Sequence, residues 1–243
     1  MPSAPDSEPV SDADSPPLLS PAPPGAQPGS AADPALVDLI AALAYGELSA
    51  FDHLADDARL APTLAGRAAM SAMAAVEFGH FQRLVQRLRD LGVDPAPALE
   101  PFVAPLETYH DLTAPSTWLE SVVKAYVGDG MAADFYREVA QLTDTATREL
   151  IESVLVDAGR AEFAVREVHA AVAAKPSVAD RLALYARRLV GEAISQTQHV
   201  LADRDALTYL LVAGAGDLQN IGGLIERITT RHDERMKALG LGT

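Results

Sequence analysis

From residue 34 onward apolar side chains recur at spacings of three and four, the period of an α-helix with one buried face. The first such stripe runs Leu36, Leu39, Ile40, Leu43, Phe51, Leu54, and the second runs Met70, Met73, Leu84, Leu88, Leu91. Six main helices are predicted on this pattern, at about 34–58, 62–91, 117–142, 144–174, 177–199 and beyond, with a break near Asp203, and 217–239. Their ends carry the expected punctuation. Pro62 suits a first turn, Gly92 and Gly240 suit stops, Thr117-x-x-Glu120 reads as a capping box, Asp144 as an N-cap, and Pro176 closes the fourth helix. Residues 93–114 hold Pro95, Pro97, Pro101 and Pro105 and read as one long connection. No strand-like alternation of useful length occurs. The chain is therefore expected to be all-α, a four-helix bundle of two hairpins joined by a crossover, with two additional C-terminal helices.

Polar residues interrupt the stripes at matching places. Glu47 falls between Leu43 and Phe51, Glu77 and His80 fall between Met73 and Leu84, Asp129 follows Val122 and Tyr126, and Asp157 lies between Val154 and Ala161. An ionised carboxylate inside a bundle costs several kcal/mol unless a partner neutralises it, and a metal ion is one such partner. Glu77 to His80 is an i, i+3 step, which places a carboxylate and an imidazole on one helix face. Glu47 and Glu77 are 30 residues apart, and Asp129 and Asp157 are 28 apart. In two antiparallel hairpins these near-equal separations bring all four acids to one level. Hard oxygen donors with an imidazole suit iron or manganese.

Composition adds a boundary and a sign. Residues 1–34 contain ten of the 17 prolines with five acids and no base, so they are expected to form a disordered tail ahead of a helical domain over 35–243. The chain carries a formal net charge of -15, of which -10 belongs to the domain. An acidic body is a poor general match for nucleic acid. Two groups of arginines, Arg83, Arg87, Arg89 and Arg181, Arg187, Arg188, read as ordinary solvated faces. No run of 18 uninterrupted apolar residues and no secretory leader pattern is found, and cysteine is absent, so no membrane partner and a cytoplasmic location are expected. Asp52, His53, Asp56 and Asp57 read as a solvated helix end, and Glu192 with His199 as a packed or salt-bridged pair. Tyr45, Tyr126 and Tyr136 read as core tyrosines near the acids.

Four segments carry a resemblance: Ala44-Tyr-Gly-Glu47-Leu-Ser-Ala-Phe51, Glu77-Phe-Gly-His80-Phe81, Tyr126-Val-Gly-Asp129-Gly-Met-Ala-Ala-Asp134-Phe-Tyr, and Asp157-Ala-Gly-Arg160-Ala-Glu162-Phe. A fifth, Arg227-Ile-Thr-Thr-Arg-His232-Asp-Glu-Arg-Met236, extends it towards the end. In these the chain resembles the ferritin-like di-iron carboxylate proteins, and within them the bacterial group similar to the tRNA hydroxylase acting on methylthio-isopentenyladenosine. The resemblance implies an oxygen-dependent hydroxylase or oxidase with a di-iron site, and Glu47, Glu77, His80, Asp129 and Asp157 as metal ligands. It implies tRNA as a partner, which the acidic charge disfavours, and leaves the substrate and a homodimer open. The family pattern places a second histidine three residues after Asp157, where this chain has Arg160. An arginine brings a fixed positive charge and no lone pair. Two readings follow. Either the guanidinium has displaced one ion and pairs with Asp157, Glu162 or Asp129, or it points away and the carboxylates keep one or two ions, with Glu162 as a spare ligand. The non-catalytic alternative is a structural or interaction protein whose degenerate site is held by salt bridges.

Overall fold

The computed structural model describes Leu19 and residues 32–156, 159–215 and 218–242, with the side chains of 213–222 excepted. Most of the expected tail, 1–34, therefore lies outside the described residues. Helix α1 spans Pro34–Asp57, opened by Asp33, whose carboxylate accepts from the Ala35 amide at 3.0 Å, and by a proline in its first turn. A 3-10 turn, Ala58–Leu60, leads to α2, Leu64–Asp90. Thr63 caps α2 by accepting from the Gly66 amide at 3.0 Å, so Pro62 stands outside the helix it was expected to open. α1 and α2 pack as a hairpin along their apolar stripes. By length and composition Pro34–Leu60 is apolar enough to cross a membrane, but 56% of its most apolar 18-residue window is buried inside the bundle.

The proline-rich connection is itself a helix, α3, Pro95–Leu112. Asp94 caps it with a 3.2 Å bond to the Ala96 amide, and Pro101 and Pro105 sit inside it. Leu99, Phe102 and His110 point inwards on the face that packs against α1, with Leu106 partly buried between them. Burying a Leu or Phe side chain contributes about 1.5–3 kcal/mol, and this offsets the lost backbone bonds of the two prolines.

The third expected helix is present but interrupted. α4, Trp118–Val123, passes into a π-helical turn, Lys124–Gly128, and then α5, Asp129–Ala140. The capping box opens it as expected: Thr117 accepts from the Glu120 amide at 3.3 Å, and the Glu120 carboxylate reaches back to the Ser116 amide at 2.6 Å. The fourth helix is split into α6, Thr145–Val154, and α7, Arg160–Ala174. Gly159, at φ 86°, takes the left-handed conformation that only glycine adopts cheaply, and so aims Arg160 at the start of α7. α8, Val178–Asp203, is followed by α9, Asp205–Ala215, across a break at Arg204. α10 spans Leu218–Ala238. Among the described residues no strand occurs, and the architecture is an all-α bundle with additional C-terminal helices.

Two apolar clusters fill this bundle. One holds Leu54, Met70, Met73, Trp118, Val122, Phe163 and Val168 with Leu182, Leu189 and Leu239. The other holds Leu39, Ile40, Leu43, Phe81, Leu84, Leu88, Phe102, Val139, Ile151 and Val154. On every bundle helix the switch from one cluster to the other falls at the polar intruders. α1 leaves one cluster at Ala44 and joins the other at Leu54, and α2 switches between Ala74 and Phe81. Charged clasps tie on the later helices. Arg204 grips buried Asp38 of α1, its Nε donating at 2.9 Å. Arg227, Arg231 and Arg235, four residues apart on α10, meet Glu138 and buried Asp134 of α5.

Candidate metal centre

The polar layer between the two clusters is the candidate site. α1 supplies Glu47 and α2 supplies Glu77 and His80, with the two glutamates 7% and 3% exposed. His80 Nδ1 lies 3.3 Å from Glu47 Oε2 and 3.2 Å from Glu77 Oε2. Each of the three residues offers one ligand atom, all within 4.8 Å of one another. Donors about 2.1 Å from a single ion stand about 3.0 Å apart at right angles and about 3.4 Å apart at the tetrahedral angle, so these spacings fit one first-row divalent ion. The set of two carboxylate oxygens and one imidazole nitrogen suits iron, manganese or zinc.

The second half of the site is built differently. Arg160, delivered by the first turn of α7, donates Nη1–H to Asp129 Oδ2 at 2.9 Å and Nη2–H to Glu77 Oε1. Glu77 therefore bridges. Its Oε2 belongs to the group with Glu47 and His80, and its Oε1 meets the guanidinium. A bridging carboxylate between two cations is the arrangement expected of a two-metal site, with the guanidinium in place of one of the cations. Arg160 thus takes partners from α2 and α5, and of the three acids expected for it only Asp129 appears among the described contacts. Asp157 lies outside the described residues. Glu162 is exposed on α7.

Electrostatics follow from these neighbours. Burial drives Glu47 well above the usual carboxylate range, and the adjacent Glu77 charge adds to it. Burial acts in the same sense on Glu77, but hydrogen bonds with His80 and Glu47 and the Arg160 charge overcome it and hold Glu77 down at about 2. His80 is pushed up to about 9, because its two carboxylate partners outweigh the opposing effect of burial. Asp129 rises to about 6, burial outweighing Arg160. Among the described residues the layer sets the carboxylates of Glu77 and Asp129 against the His80 imidazole and the Arg160 guanidinium, and burial pushes Glu47 towards its neutral form.

Beside this layer lies a small cavity lined by Ala50, His53, Leu54, Asp57, His110, Lys124, Ala125 and Asp129. His53 and Asp57 are thus corrected from a solvated helix end to cavity walls, because the 3-10 turn and α3 fold over that end of α1. Lys124 and His110 were not anticipated. Lys124 interrupts an otherwise apolar stretch, Val122 to Val127, and that was its visible signal.

The comparisons agree with this geometry at the level of the fold. Comparison with curated proteins gives no match. A family model described as a ferritin-like domain of actinomycetes matches residues 31–214, a span containing the whole polar layer and ending just inside the C-terminal limit of α9. The chain belongs to this ferritin-like domain family.

Proposed function

We propose that this ferritin-like protein binds one divalent ion, iron by family resemblance, through Glu47, Glu77 and His80, and acts as an oxygen-dependent oxidase or hydroxylase. The observation that carries the reading is the bridging of Glu77 between the three-donor group and Arg160. Iron bound there would supply the activation of dioxygen. The chain's own residues do the rest. Glu77 and His80 are fixed on one helix face, Glu47 of α1 stands within reach of the same point, and Arg160 keeps a fixed positive charge on Glu77 and Asp129. The flanking apolar clusters keep bulk water away from the layer. The narrower resemblance to tRNA hydroxylases supports the oxidative chemistry, while a net charge of -15 weighs against a polyanionic substrate.

Anaerobic reconstitution with Fe(II) tests the reading. One iron per chain is expected, lost in Glu77→Gln and His80→Ala, with oxygen uptake when air is admitted. Two tightly bound irons would overturn the displacement of an ion by Arg160. A second reading, a structural bundle held by ion pairs alone, is favoured by the pairing of His80 and Arg160 with Glu47, Glu77 and Asp129. No retained iron, with the wild-type fold intact, would decide for it.

A further inference from the structure

The segment from Arg227 to Met236 carries part of the sequence resemblance, yet none of its residues belongs to the metal centre. It lies on α10, whose C-terminal end is anchored by Met236 and Leu239, both buried in the apolar cluster that holds Trp118. α10 packs along α5 and against the π turn. Just before the Met236 anchor stands Arg235, whose side chain is 11% exposed. Its Nη2 donates to the Gly130 carbonyl at 2.8 Å and to the Asp134 carboxylate. Gly130 and Asp134 are i and i+4 on α5, so one guanidinium spans the first turn of that helix.

The fit is made by the glycine. A Cβ on Gly130 would lie 2.5 Å from Arg235 Nε and 3.0 Å from both Cδ and Cζ, so the bare backbone forms the slot in which the arginine lies. Glycine weakens a helix relative to alanine, and this contact gives its place in the first turn of α5 a physical reason. That turn runs on directly from the π turn with no side-chain cap to hold it. Neutralising Asp134 does not require Arg235. The carboxylate, on a residue only 2% exposed, also meets Arg137 Nη1 at 3.2 Å and Arg231 Nη1 at 3.7 Å. An arginine beyond those two, seated in a slot and bonded to a backbone carbonyl, acts on the placement of the chain rather than on charge alone.

The neighbour of Gly130 is Asp129. Its Oδ2 accepts from Arg160 Nη1 at 2.9 Å, Arg160 Nη2 donates to Glu77 Oε1, and Glu77 Oε2 lies 3.2 Å from His80 Nδ1. Contacts therefore run without a gap from α10 to the three-donor group. We propose that Arg235 is a positioning residue of the metal centre, fixing the first turn of α5 and so holding the Asp129 carboxylate on Arg160 and Arg160 on Glu77. The placement of Asp129 and Arg160 stands on these contacts, while the effect on a bound ion rests on the function proposed above. With the first turn released, Asp129 turns away from Arg160, the pull of the guanidinium on Glu77 changes, and the carboxylate oxygen offered to the ion shifts.

Guanidinium N–H signals, followed by NMR on the metal-free full chain, test the placement. The Arg160 signal is assigned by its loss in Arg160→Lys, and Arg204, clasped to Asp38, serves as the control for an intact fold. Exchange of the Arg160 protons with water should quicken about tenfold in Arg235→Met, equally in Gly130→Ala, whose methyl group evicts the arginine, and less in Arg235→Lys, which keeps a donor. Both changes act on one contact, so Gly130→Ala combined with Arg235→Met should be no faster than either alone. The combined variant has no clash and reads the contact even if Gly130→Ala by itself fails to fold. Arg160 exchange that is unchanged in Arg235→Met and in the combined variant overturns the proposal, as does exchange that quickens equally at Arg204. Co(II) then tests the effect on the ion. The wild type should bind one Co(II) per chain, with affinity about tenfold weaker in Arg235→Met and partly restored in Arg235→Lys. Equal affinities overturn the coupling to the metal. If the wild type takes up no cobalt, the metal reading fails, and the exchange at Arg160 still decides whether Arg235 places Asp129.

Discussion

A guanidinium and a divalent ion both neutralise buried carboxylates, but they differ in reversibility. An ion leaves when ligands protonate or chelators compete, whereas Arg160 is part of the chain and stays charged. Arg160→His exchanges one solution for the other. It should raise bound iron from one towards two per chain by metal analysis, and lower metal-free stability by about 3 kcal/mol in denaturant titration, because Glu77 and Asp129 lose a partner that is itself largely buried. His110 sets a second residue-scale expectation. Burial, with the neighbouring Lys124 and His53 charges, pushes its pKa down to about 2, so the native state stays neutral where the unfolded chain binds a proton. A depressed folded pKa gives stability that is complete above the unfolded value of about 6.5 and is lost as pH falls from there towards 2. By pH 5 this single group costs about 2 kcal/mol, and His110→Phe should remove that part of the acid-side loss while keeping the ring stack on His53.

At the scale of elements, the helices with intact stripes and the break near Asp203 were legible in sequence, while α3, the π turn and the split at Gly159 were not. α1 and α2 follow from period and caps alone. α3 was hidden because Pro101 and Pro105 outvote the spacing of Leu99, Phe102, Leu106 and His110, a helical face that shows itself only once α1 is there to receive it. The break at Gly159 had a signal, a glycine followed by a charged residue, but helical apolar residues on both sides concealed it. The π turn has no such signal, being made by one residue of surplus between α4 and α5. It matters because it settles where Asp129 and Lys124 point. Among the expected ligands, Glu47, Glu77 and His80 were readable because each breaks an apolar stripe. The cavity was not, since α1, α3 and the π turn are far apart in the chain. The turn is tightly fitted: a Cβ on Gly128 would lie 2.6 Å from the Tyr109 hydroxyl. Gly128→Ala should therefore cost about 1–3 kcal/mol in chemical denaturation, and adding Tyr109→Phe should recover much of it, a coupling that a double-mutant cycle measures directly.

Across the whole molecule the polar layer divides one bundle into two apolar bodies that touch through charged groups. Helices run through both, so the backbone links them, yet the side-chain cohesion that makes a domain melt in one step is thinnest at this level. The chain has a single tryptophan, Trp118, and it belongs to one of the two bodies. Its fluorescence is therefore a local thermometer, while far-ultraviolet circular dichroism averages over both. In the wild type the two melting curves should coincide. In Arg160→Met, where Glu77 and Asp129 face each other without their cation, the curves should part by several degrees, and coincident curves there would show that the backbone alone keeps the bodies in step. One indole thus reports whether the protein comes apart as a single object or as two.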